Sequence, residues 1–142
     1  MMTFIKHTIK TAFLFLFGGL SYMMVEILYR GHTHPSMLIL GGVCFVCCGM
    51  INEFFSWSMP LIKQMLVSSL VITALELVAG LILNIWMGLN VWDYSAIPMN
   101  FMGQICLPFT LIWFLISAPV IVLDDIIRCV LFGEEEPRYK LL

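Results

Sequence analysis

Glu76 is the residue most able to do chemistry, because it stands in the middle of the apolar run ITALELVAGLILN. A carboxylate in hydrocarbon costs at least a few kcal/mol and marks a functional or assembly site. Two readings follow. In one, Glu76 takes up a proton or cation on a transport path, with Thr73 and Asn84 nearby. In the other it is a protonated or hydrogen-bonded carboxyl that holds helices together, against Gln104 or Tyr22. Glu26 and Arg30 are spaced as an i,i+4 pair in the favourable acid-before-base order, which neutralises both charges. They also fit an outer gate or a contact with anionic headgroups. Asp93, Asn100 and Gln104 follow in a polar stretch and, with Glu26 and Arg30, are expected to line or gate the approach to Glu76.

Other constellations carry less. His32 and His34, taken with Asp93 and Glu26, suggest an outer metal or hydrolytic centre. A His-x-His pair in a loop, without a nucleophile elbow or an H-E-x-x-H helix, supports neither, so no metal site, catalytic residue or enzyme activity is assigned. Cys44, Cys47 and Cys48 have C-x-x-C spacing, and eleven methionines bring a copper path to mind. Buried cysteine is equally a small packing residue, and that reading is preferred, with no cofactor expected.

The elements that must position these groups are membrane helices. Hydrophobic residues make up 61% of the chain and charged residues 11%, and mean hydropathy is +1.01. That balance excludes an ordinary soluble domain. The 142 residues hold four spans of about 20 residues and leave no room for a sizeable soluble domain. The few scattered basic residues exclude a nucleic-acid footprint. Five cysteines, an odd number inside apolar runs, exclude a secreted disulfide framework. The first apolar run is long, ends in Glu26 and Arg30, and lacks a small-x-small cleavage site, so it reads as a retained anchor.

The spans are expected at about 11–29, 37–57, 65–86 and 104–123. An amphipathic surface helix and a solvated tail are expected over 124–142. GHTHPS makes the first two spans an antiparallel hairpin. Gly42, Gly49 and Glu53 share a face of span two, where small residues let a neighbour approach closely. Ser69, Thr73, Glu76 and Gly80 form one stripe of span three. The segment from Met87 to Gly103 is expected to lie along the membrane surface or dip into it, anchored by Trp86, Trp92 and Tyr94. Asp93 is a candidate helix cap. Pro108 and Pro119 should kink span four. A faint parallel echo links SMLILGGVCF to PMNFMGQICL, as in some transporter repeats.

Lys6, Lys10, Lys63, Arg128, Arg138 and Lys140 fall on one side and Arg30 on the other, which predicts both termini in the cytoplasm. Glu76 lies eleven residues into span three, roughly 16 Å from its inner end and near the midplane of a ~30 Å core. Glu53, beside Trp57, is expected to reach water.

ELVAGLILN (Glu76–Asn84), LNVWDYS (Leu89–Ser95), NFMGQICLPF (Asn100–Phe109) and EILYRGHTHPSMLILGG (Glu26–Gly42) resemble the small bacterial membrane proteins called ABC-transporter type IV, or CmpB-like, permeases. The resemblance runs from about Gly18 to Leu123. It implies a multi-helix membrane protein with a transport label and carries over no substrate or active site. The chain has no G-x-x-x-x-G-K-[ST] phosphate cradle, so an ATPase would be a separate chain. The one internal cytoplasmic loop, Ser58–Gln64, gives such a partner little surface.

The expectation is an all-α plasma-membrane protein of four spans, with an interfacial or re-entrant segment before the fourth. It is a permease-like subunit of a transport system, ABC-type or ion-coupled, that works as a homo-oligomer or with a partner membrane subunit. A non-transporting scaffold or regulator is the alternative. A membrane enzyme acting at the outer face through His32, His34 and Asp93 is a third.

Overall fold

The structure, a computed structural model, describes residues 2–55 and 57–142, with side chains from Phe4 onward. Helix α1 spans Met2–Arg30 and stops at Gly31, whose left-handed φ of 77° lets its N–H return to Ile27 O at 2.7 Å. Helix α2 (Ser36–Gly49) starts after Pro35 and continues, past a break at Met50, into the short α3 (Ile51–Phe54). Helix α4 spans Leu61–Gly80, and its last turns, Leu81–Trp86, widen into π geometry. Two short strands, β1 (Asn100–Phe101) and β2 (Ile105–Cys106), pair antiparallel, with Asn100 opposite Cys106. Helix α5 runs from Leu107 to Phe132. Among the described residues, four stretches are long and apolar enough to cross a membrane: Phe4–Arg30, Ser36–Phe54, Leu61–Trp86 and Leu107–Phe132.

Two helical hairpins, α1/α2 and α4/α5, are joined by the contacts of α2 with α4 and α5. Glycines set the first hairpin: a Cβ on Gly41 would stand 2.6 Å from Tyr22 Cβ, and one on Gly42 2.7 Å from Phe15 O. The small face foreseen on the second span thus meets two neighbours, because Gly42 faces α1 while Gly49 lies against Asp124 of α5. Leu14, Met37 and Ile121 are fully buried, whereas Leu16, Leu20, Leu70, Leu111 and Leu115 remain exposed. An apolar outer surface is what lipid requires.

Several expectations are corrected. The chain is not purely helical, because the polar segment before α5 closes as a β-hairpin on the ends of α4 and α5. Gln104 lies in that hairpin's turn rather than in a helix, and α5 starts only at Leu107. Pro108 therefore falls in the first turn, where its missing N–H costs nothing, and Pro119 alone stands inside the helix. α5 continues unbroken through 124–132, so no separate surface helix forms; Gly133, with φ of 68°, ends it. Trp92, 7% exposed, faces inward instead of anchoring an interface, while Trp86 is 82% exposed. α4 begins at Leu61, which puts Glu76 about 22 Å from that end and about 15 Å from Trp86. Glu76 therefore stands only about 4 Å from the middle of the Leu61–Trp86 stretch, on its hairpin side.

Candidate functional site

Glu76 is 5% exposed and sits between α4 and α5. Tyr94 Oη donates to Glu76 Oε1 at 2.8 Å, and Trp113 Nε1 donates to Oε2 at 3.1 Å. Each carboxyl oxygen thus has one donor. The expected partners, Gln104 and Tyr22, are not the ones bonded. Tyr22 instead packs its ring against Trp113, with centroids 6.1 Å apart. Tyr94 stacks on Phe109 at 4.7 Å and 12°, which leaves the carboxyl enclosed by aromatic rings. Among the described residues no Lys or Arg pairs with it. Burial, then the Glu76 carboxylate, pushes the Tyr94 phenol well above its ordinary range, so it stays a hydrogen-bond donor.

The π turn explains how Asn84 joins. Widening the helix by one residue per turn shifts the side chains beyond Gly80, and Asn84 becomes buried against the hairpin. Its amide donates to Gln104 Oε1 at 2.8 Å and to Trp92 O at 3.0 Å, and its Oδ1 accepts from Val91 N at 2.6 Å. Gln104 O accepts from Trp92 Nε1 at 2.9 Å, and Gln104 Nε2 donates to Met102 O at 3.1 Å. Asn84 and Gln104 are therefore a clamp that holds the hairpin over Glu76. Thr73 bonds Thr110 across α4 and α5 at 3.1 Å, and Thr110 also donates to Cys106 O at 3.2 Å.

Asp93 caps no helix. It closes a turn by accepting from Ser95 Oγ at 2.5 Å and Ser95 N at 2.8 Å, bonds that hold its carboxyl below the ordinary aspartate range. Asn100 Nδ2 donates to Ile97 O at 2.7 Å, and Asn100 Oδ1 accepts from Gly103 N at 3.0 Å, so this side chain shapes the hairpin. Glu26 pairs with Arg30 as its spacing predicts, and also accepts from Thr33. Arg30 reaches Val91 O at 3.2 Å, tying α1 to the segment that carries Trp92. His32 Nδ1 meets Arg30 O at 3.1 Å, and His34 Nδ1 meets Ser36 Oγ at 2.7 Å. Each histidine is engaged within its own loop. Among the described residues, no three His, Cys, Asp or Glu side chains are placed to hold a metal ion together.

A second polar cluster lies at the end that carries both termini, and sequence reasoning missed it. Arg128, 5% exposed, donates from Nε to Asp124 Oδ2 at 2.5 Å and pairs with Glu53 through Nη1. Lys10, 8% exposed, bridges Glu53 at 3.2 Å and also pairs with Glu134. Asp125 accepts from Asn52 Nδ2 at 2.7 Å and from Tyr139 Oη at 2.5 Å. Glu53 is thus held between two cations rather than simply turned to water. The tail is not free in solvent either: Tyr139 packs on Trp57 at 5.9 Å, and Lys140 O accepts from Leu61 N at 2.7 Å. The legible signal was the i,i+4 spacing of Asp124 and Arg128. A surface helix would carry the same spacing.

With both clusters in place, comparison with known families decides membership. Residues 13–131 match the family described as "Putative ABC-transporter type IV". The chain belongs to that family. Searches of curated proteins and of solved structures give no match. For this type IV family member the match covers α1 from Phe13, both hairpins and nearly all of α5, so it includes Glu76 and its partners and most of the second cluster.

Proposed function

We propose that this type IV family member is the permease-like membrane subunit of a transport system, with Glu76 as the polar group that its passenger or coupling ion meets. The observation that carries the reading is a buried carboxyl with no cation partner among the described residues, held by Tyr94 and Trp113 under a hairpin fastened by hydrogen bonds and close packing. A structural carboxyl is more economically neutralised by a neighbouring Lys or Arg, as Asp124 is by Arg128. Asn84, Gln104, Asn100 and Asp93 hold the cover, Glu26 and Arg30 tie it to α1, and Thr73 braces α4 against α5. The lysine and arginine bias supports cytoplasmic termini in the plasma membrane, with the hairpin outside. Four helices enclose little volume, so the pathway belongs to a homo-oligomer or to a complex with a partner subunit, and an energising ATPase would be a separate chain. On this reading the protein is not itself an enzyme.

Reconstituted vesicles provide the test. Glu76→Gln keeps shape and hydrogen bonding but removes the titratable group, so it should abolish proton- or ion-coupled flux while the protein remains folded. Unchanged flux would sink the proposal.

The scaffold reading has its own support, because Asn84 and Gln104 spend their hydrogen bonds on the chain itself. It expects Glu76→Leu to assemble poorly and Glu76→Gln to assemble normally, with no flux in either the variants or the parent. The reading through His32, His34 and Asp93 gains nothing, since each of the three is occupied in its own turn.

A further inference from the structure

The cluster at the end carrying the termini is short of positive charge and short of donors. Lys10 and Arg128 face four carboxylates, Glu53, Asp124, Asp125 and Glu134. Among the described residues, the donors to Asp125 are the neutral Asn52 and Tyr139. Buried charge without compensation is costly. Separately, among the described residues three buried oxygens have no hydrogen-bond partner, Asn52 Oδ1, Gln64 Oε1 and Asp124 Oδ1, and Ser68 Oγ has only the Cys48 thiol. Gln64, Ser68 and Asp124 are each at most 1% exposed, so bulk water does not satisfy them.

These atoms belong to one seam. Gln64 and Ser68 are one turn apart on the same face of α4. The Ser68 hydroxyl lies beside the Cys48 thiol of α2, and Asp124 of α5 lies near Cys48 and against the next residue, Gly49. Ser68 and Asp124 therefore reach the same turn of α2 from two other helices, and Asn52 follows one turn further along. The amide orientations are fixed: Gln64 Nε2 donates to Met59 O at 2.9 Å and Asn52 Nδ2 to Asp125, which leaves the two carbonyl oxygens as the free ends. A cavity of about 390 Å³, lined by Asn52, Glu53, Asp125 and Glu134 among others, opens onto the same cluster.

We propose that this seam between α2, α4 and α5 is a seat for one hard monovalent cation, sodium or a close equivalent, with Asp124 supplying the charge and Gln64, Ser68 and Asn52 supplying neutral oxygens. Carboxylate, carbonyl and hydroxyl oxygens are the ligands hard cations take, and among the described residues no three His, Cys, Asp or Glu side chains are grouped to suit a thiolate- or imidazole-seeking metal. One free carboxylate oxygen among neutral ligands suits a single positive charge better than two. The acidic cavity touches the seam at Gly49 and Asn52. This seat is distinct from Glu76 and does not depend on the transport reading.

The experiment uses the full chain in mild detergent. Equilibrium binding of radioactive sodium and the thermal unfolding midpoint are followed as sodium chloride replaces choline chloride at constant ionic strength. The expected result is saturable binding approaching one ion per chain, with a midpoint that rises along the same curve. Ser68→Ala and Gln64→Ala should weaken the affinity about tenfold or more, and Asp124→Asn should abolish it. If Asp124→Asn does not fold, the two neutral-ligand variants decide alone. Equal response to choline, unaltered affinity in both of those variants, or binding that Glu76→Gln removes while Asp124→Asn keeps it, would each overturn the proposal.

Discussion

Glu76 and Arg128 are two solutions to the same problem of polar groups in an apolar helix. Glu76 relies on two neutral donors, so Tyr94→Phe, which removes one and keeps the stacking on Phe109, should lower stability by about 1.5–3 kcal/mol. The unfolding midpoint in detergent measures it, and an unchanged midpoint would mean that the bond contributes nothing. Arg128 instead pairs with both Asp124 and Glu53. Arg128→Met leaves Asp124 buried and unpaired and should cost about 3–5 kcal/mol, read as loss of the monodisperse folded species. Sequence showed both residues but not this difference. The Glu26–Arg30 pair was legible because its partners lie on one helix, whereas Tyr94 and Trp113 reach Glu76 from 18 and 37 positions away.

At the scale of elements, the hairpin of β1 and β2 is the part that pattern reading could not see. Its strands are two residues each, too short for an alternating signal, and its turn rests on left-handed backbone at Met102 and Gly103, with φ of 55° and 69°. Close packing fixes it on α4. A Cβ on Gly80 would stand 2.5 Å from Gln104 Oε1, and Gln104 cannot retreat without losing Asn84. Gly80→Ala should therefore destabilise by about 1–3 kcal/mol and raise amide exchange across 91–106. The Asp93 turn adds a pH dependence. Its folded pKa is depressed, so its stabilising contribution is present above the ordinary aspartate value of about 3.9 and is lost as pH falls through the folded value. Exchange of the Ser95 amide should accelerate in that acidic window in the parent but not in Asp93→Asn.

For the whole molecule, the two polar clusters lie at opposite ends of the α4/α5 hairpin, each fastening helices that otherwise meet through small and apolar residues. The last residues are part of the fastening at the end that carries the termini: removing 138–142 deletes the Tyr139 bond to Asp125, its contact with Trp57 and the Lys140 bond to Leu61. The shortened chain should lose about 2 kcal/mol and be cut faster by protease between Gly133 and Pro137. On the transport proposal, this end is where a separate ATPase would dock. Recovery of such a chain with the intact protein, and its loss from the shortened one, would locate the docking site there.

The sequence by itself determined that this is a chain of four apolar helices, because hydropathy adds up locally over a span and needs no knowledge of neighbours. It also located the polar residues along each span and the Glu26–Arg30 pair, whose partners are one turn apart. Only the tertiary structure decided which way those residues face. Asp124, Asp125 and Arg128 have the spacing of a surface helix and are buried nonetheless, because Lys10, Glu53 and Asn52 lie across from them. Glu76 is a lone carboxyl in sequence; it became an enclosed site once the hairpin folded Tyr94 over it and α5 brought Trp113 alongside.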